Sequence, residues 1–265
     1  MKTLSRMKKV FALAMTLVLA GTLSASAAAT PAVNSVAIDP AAIGALQKMG
    51  TYLRTLSAFQ IEAAVQKELV LENGLKVQLE EAVSLVTRRP DRLMLKVSSE
   101  RKEREFFYDG RQFTLWAPRV NSYATVVAPP TIRELIIKLE EKFGIEMPLV
   151  DLFKWGTEES HIKDITVAME LGTAKIGGAD CTQYGFRQEG LDWQIWIQNG
   201  NYPLPRKLVL TTTTDEARPQ HQAVLTWNLA PVFIDKDLRS NRPPTRSGSF
   251  SHSLRSKPGT GRKEK

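Results

Sequence analysis

The chain has 265 residues, 43% of them apolar, so it can bury a core and is not globally disordered. Its formal net charge of +8 is carried by the ends: the first ten residues hold +4 and residues 239–265 hold +7, which leaves the stretch between them at −3. A mildly acidic body with basic ends argues against a groove that tracks phosphates, and so against nucleic acid as a partner. The single cysteine, Cys181, excludes an internal disulfide and reads as a small buried strand residue rather than a reactive thiol.

The N-terminus reads as an export signal. Lys2, Arg6, Lys8 and Lys9 precede an apolar run from Val10 to Leu23, and Ser24 to Ala29 supply small residues for cleavage after Ala27 or Ala29. The apolar run is short for a membrane span, which disfavours an uncleaved anchor, and no cysteine near the cleavage site invites a lipid. The expected organisation is a signal peptide over 1–27, a flexible lead over 28–38, a folded domain over 39–235 and a basic disordered tail over 236–265. The expected location is the periplasm, without a lipid anchor.

A helix is expected to start at Asp39-Pro40, an N-cap followed by proline at the first helical position, with Ile43, Leu46, Met49, Leu53 and Leu56 on one stripe. Period-two strands follow. Leu75, Val77, Leu79, Val83 and Leu85 share a face that Glu81 interrupts; Leu93, Leu95 and Val97 make a second strand, and Phe113 and Leu115 another. Thr131 and Glu134 make a capping box for a helix that Gly144 ends, and a short helix is expected over 148–155. Strands resume with Ile165, Val167, Met169 and Leu171, then Trp193, Ile195 and Ile197, then Ala223, Leu225, Trp227 and Leu229. Asn73-Gly74, Asp109-Gly110 and Asn199-Gly200 are hairpin dipeptides, and Gly177-Gly178 reads as another strand turn. Successive hairpins make an antiparallel meander, and the order helix, strands, helices, strands gives an α+β fold with one large sheet.

Catalytic and metal-binding signals are weak. His161, His221 and His252 are far apart and belong to no ligand cluster, so no metal or other cofactor is expected. No G-x-S-x-G elbow or phosphate-binding loop is present, and Glu80-Glu81, Glu140-Glu141 and Glu158-Glu159 are neighbours that cannot converge as carboxylate pairs. The chain therefore reads as a non-enzyme; a hydrolase built from separated residues such as His161 and Asp164 would need a converging nucleophile. Aromatic strand residues give the positive signal. Trp116, Trp193, Trp196 and Trp227 lie in strands with Phe106, Phe107 and Phe113, and Trp196 falls on the opposite face from Trp193, Ile195 and Ile197. A well-packed sheet under helices accounts for them; a binding face for an apolar chain is the sharper account. On that account the ligand walls are Phe113, Leu115, Trp116, Trp193, Ile195, Ile197, Leu225 and Trp227.

Three stretches carry a family resemblance. Arg88-Arg89-Pro90-Asp91-Arg92-Leu93 resembles a strand-break step of periplasmic lipoprotein carriers. Tyr108 to Gln112 followed by Leu115-Trp116 resembles their central hairpin. Asp192 to Ile197 followed by Pro203 to Lys207 resembles a crossing near their end, and Gly178 to Cys181 adds to the likeness. Over about residues 39–235 the chain looks closest to a bacterial family of predicted periplasmic proteins of unknown function, related in fold to the LolA-type carriers. The departure is Leu238 to Thr245, which keeps Pro243-Pro244 and then runs into basic polar sequence. The resemblance implies a LolA-like half-open β-barrel, a curved antiparallel sheet with helices covering its concave face. It also implies a carrier of lipid or lipoprotein acyl chains. The alternative is a sensor or assembly module that binds envelope proteins. The basic tail adds a possible transient contact with anionic membrane.

Overall fold

The computed structural model describes residues 38–145 and 147–232. The expected signal peptide, the flexible lead except Ile38, the basic tail with His252 and the Pro243-Pro244 step lie outside the described residues. Helix α1 (Pro40–Thr55) starts where the sequence places it: the Asp39 carboxylate accepts a hydrogen bond from the Ala41 N–H at 2.8 Å. Six strands follow: β1 (Ala58–Val70), β2 (Lys76–Arg88), β3 (Arg92–Ser99), β4 (Glu103–Tyr108), β5 (Gln112–Ala117) and β6 (Ser122–Val127). Helix α2 (Ile132–Lys138) is capped by Thr131 and continues as a π turn over Leu139–Phe143 to Gly144, which adopts φ 62°. The second expected helix shrinks to α3 (Asp151–Lys154). Five strands complete the domain: β7 (Val167–Ile176), β8 (Ala179–Gln188), β9 (Leu191–Gln198), β10 (Pro205–Thr212) and β11 (Gln220–Asn228). The hairpin dipeptides behave as expected: Gly74, Gly110 and Gly200 all take positive φ at strand reversals.

All eleven strands form one antiparallel sheet in the order β6-β5-β4-β3-β2-β1-β11-β10-β9-β8-β7. Two meanders meet where β1 pairs with β11, from Gln60 opposite Asn228 to Lys67 opposite His221. The half-open barrel with helices on a concave face is therefore corrected. The sheet is open, with β6 and β7 at opposite edges, and among the described residues only a single parallel bridge from Ile38 to Ala168 touches the β7 edge. Hydrophobic alternation fixes which face is buried; curling depends on bulges and strand coiling. The ladders break register at only two places, between Pro205 and Lys207 and between Glu170 and Gly172.

The helices pack on one face. Leu46, Met49 and Leu53 of α1, Leu135 and Ile136 of α2 and Phe153 of α3 join Phe59, Ile61, Leu85, Leu95, Phe106, Trp193, Ile195 and Leu225 in one buried cluster. Each such aliphatic or aromatic side chain contributes about 1.5–3 kcal/mol when withdrawn from water. Contact is closest at Gly50, where a Cβ would lie 2.6 Å from the Gly156 nitrogen, so only glycine lets α1 approach the chain after α3. A smaller cluster of Cys181, Trp196 and Val209 occupies the other face, with the Lys207 ammonium 4.7 Å from the Trp196 ring centre. Both faces of β9 are thus covered, and Cys181 is buried as expected. On β7 the alternation falls the other way: Ala168 is buried, whereas Met169 and Leu171 are exposed, because Ala168 lies opposite Phe186 on the helix side. Among the described residues no helix is long and apolar enough to cross a membrane.

Candidate functional site

The helix-facing side of the sheet changes character along its length. On β1 the inward series Phe59, Ile61, Ala63 and Val65 is buried and then reaches Lys67. On β2 the series Leu85 and Val83 reaches Glu81, the break legible in the sequence, and on β11 Leu225 and Ala223 reach His221. Strand register brings these three together: Lys67 stands opposite His221, and Glu81 stands opposite Val65, the next inward position. The Lys67 ammonium contacts Glu81 at 2.7 Å, with the Glu81 side chain only 12% exposed.

These residues floor a cleft of about 810 Å³. Val65, Leu191 and Leu210 add apolar floor, and the segment after α2 forms the opposite wall through Met147, Pro148, Leu149 and Val150. That wall has its own ion pair: Lys154 lies 2.9 Å from Glu140 and 3.7 Å from Asp151. At the rim, Glu68 contacts Lys76 at 2.7 Å and accepts the Gln220 N–H at 2.8 Å. Leu149 holds φ 64°, a left-handed conformation that costs a non-glycine residue about 1–3 kcal/mol. Beyond the cleft the β1–β2 hairpin outruns its neighbours: β11 stops pairing at Lys67 and β3 at Glu81. Leu69, Leu71 and Leu75 on this projecting arm are exposed.

Electrostatics follow from the packing. Burial, and then the Lys67 charge, push the His221 imidazole below its usual range, so it favours the neutral form. Burial works against the Lys154 charge, but the Glu140 hydrogen bond and Asp151 outweigh it and hold its pKa above the ordinary value. The hydrogen bond from Lys76, and then that from Gln220, lower the Glu68 carboxyl.

None of the eight residues expected as ligand walls lines this cleft. Trp193, Ile195 and Ile197 on β9 and Leu225 on β11 are buried in the core; Trp227 is half-buried, its indole N–H donating to the Pro205 carbonyl at 2.8 Å. Phe113 is also buried, but β4, β3, β2 and β1 separate its strand from β11; Leu115 shares its face, whereas Trp116 alternates to the other. Aromatic neighbours fill the face around these side chains: Trp193 stacks on Phe186 at 4.3 Å and meets Trp155 at 5.7 Å, and Phe59 lies between Phe153 and Trp227. His161 and Asp164 do meet, at 2.8 Å, with both side chains exposed on adjoining turns. Among the described residues no group of three or more His, Cys, Asp or Glu side chains could hold a metal ion.

The fold is an α+β domain: an open antiparallel sheet with helices on one face and a cleft that carries ion-paired side chains. The chain belongs to the family described as "Predicted periplasmic protein (DUF2092)", which matches residues 42–247. No curated protein matches the sequence. Among solved structures the chain is similar to LprF from Mycobacterium bovis, at 15% identity and a TM-score of 0.46, covering 74% of this chain and 96% of that one. It is also similar to the lipoprotein LppX from Mycobacterium tuberculosis, at 11% identity and a TM-score of 0.40, covering 74% and 100%. The Pseudomonas aeruginosa MucA/MucB complex matches at 13% identity and a TM-score of 0.40, covering 76% of this chain and 61% of that one. Likenesses at this level carry no argument about what the chain binds.

Proposed function

We propose that this protein is a non-catalytic periplasmic sensor or assembly module whose cleft receives a segment of a partner polypeptide from the envelope. The supporting observation is the mixed lining. Apolar Val65, Met147, Leu149, Val150, Leu191 and Leu210 alternate with the Lys67–Glu81 and Lys154–Glu140 pairs. An extended peptide needs both kinds of surface, because its backbone N–H and C=O groups require partners while its side chains require apolar seats. An acyl chain gains only from apolar walls and would force these charges out of water without replacing their hydration. The exposed leucines of the projecting hairpin extend the same surface beyond the cleft mouth. On this reading residues 1–27 direct export, and the basic tail makes at most a transient contact with anionic lipid.

The competing reading is a carrier of lipid or lipoprotein acyl chains, seated on the eight strand residues from Phe113 to Trp227. It requires the helical segments to lift off the sheet, since Trp155 and Phe153 occupy the space above Trp193 and Phe59. One experiment separates the two. The tagged full chain is recovered from an envelope extract, alongside a Glu81→Lys variant that sets two ammonium groups against each other. The partner reading predicts a stoichiometric protein complex that the variant loses while retaining its fold. Lipid recovered with both proteins, and no protein partner with either, would support the carrier reading instead.

A further inference from the structure

One guanidinium beside α3 has no carboxylate partner among the described residues. The Arg89 guanidinium stacks 5.1 Å from the centre of the Phe153 ring of α3, and neither residue lines the cleft. Its Nε is sealed from solvent and has no hydrogen-bond partner, and among the described residues no carboxylate pairs with it. A like charge acts on it: burial first, and then the Arg54 guanidinium, depress the Arg89 pKa. Arg54 reaches over from the last turn of α1, where one Nη donates to the Gly156 carbonyl at 2.8 Å. The Arg89 backbone is fixed as well, its N–H donating to the Ser57 carbonyl at 2.7 Å. An aromatic face attracts a cation but leaves the N–H groups in the guanidinium plane unsatisfied. A half-buried guanidinium without an anion, held beside a second one, is an arrangement that an oxyanion relieves.

We infer that Arg89 and Arg54 form a phosphate-binding site, walled by Phe153 and distinct from the cleft. A phosphate group suits the pair: it carries nearly two negative charges and three acceptor oxygens, enough for two guanidinium forks. The site lies outside the proposed peptide cleft, so it stands whether or not that reading holds. The phosphate could be a free ion or a phospholipid head group.

Calorimetric titration of the full chain tests this with two probes, inorganic phosphate and a soluble short-chain phosphatidate, each against a chloride control of equal ionic strength. Binding of both probes assigns the site to the phosphate group itself; binding of phosphatidate alone assigns it to a head group. In either case Arg89→Met weakens binding about tenfold or more, Arg54→Gln weakens it less, and Lys67→Ala leaves it unchanged. Replacing a half-buried unpaired guanidinium by an apolar side chain removes a desolvation cost, so Arg89→Met should fold, and a thermal melt checks that. Arg54 is exposed, so Arg54→Gln carries the test should Arg89→Met misfold. No binding of either probe, or binding that persists unchanged in both arginine variants, overturns the site.

Discussion

Two regions of one sheet face behave as different materials. Around β9 the inward side chains are Trp193, Ile195 and Ile197, all buried and closed over by the protein's own aromatic rings. Around the β1–β2–β11 junction the same inward positions carry Lys67, Glu81 and His221 and open into a cleft. The strands run on without a break, so the contrast arises from side chains at fixed register and from where the helical segments stop. Where the helical segments reach, the apolar side chains are packed from within; where Lys67, Glu81 and His221 interrupt them, the face opens into the cleft.

The comparison can be broken most severely in the filled region. Trp193→Ala should cost about 3–5 kcal/mol by chemical denaturation, with Trp227→Ala costing less because its ring is half-buried. Equal and negligible effects would mean that this face is not packed. Gly50→Ala should cost about 1–3 kcal/mol, since the added methyl meets Gly156 backbone rather than a movable side chain.

In the open region the effects should be smaller. Glu81→Ala should cost about 1 kcal/mol, limited by solvent screening because the Lys67 side chain is 35% exposed. Replacing both partners, as Lys67→Met with Glu81→Leu, should be close to neutral in stability while removing partner recovery. The smallest effect is a pH dependence. The His221 pKa is depressed in the folded state, so its contribution to stability is present above the ordinary histidine value of about 6.5 and is lost as pH falls through the folded value. Stability measured across that acid range should decline less steeply in His221→Gln.

Much of the fold was legible in the sequence. Asp39-Pro40 announced α1, the three hairpin dipeptides placed strand reversals, and period-two runs gave one antiparallel sheet. Its closure was not legible, because alternation records burial and not curvature. The candidate site was half legible. Glu81 is legible as a break in an apolar face and His221 as an isolated histidine, but Lys67 carries no sequence signal at the end of β1. Only the pairing of β1 with both β2 and β11, across more than 150 residues, brings the three together. The eight aromatic and aliphatic strand residues from Phe113 to Trp227 signal hydrophobicity, a property shared by ligand walls and packed cores alike.

The claim that the apolar face is filled from within is tested most directly by titrating the purified full chain with a fluorescent fatty acid. The account predicts no saturable uptake, because Trp155, Phe153 and Phe186 already occupy the space over the strands. Saturable uptake that Trp193→Ala alters and Glu81→Lys does not would contradict it.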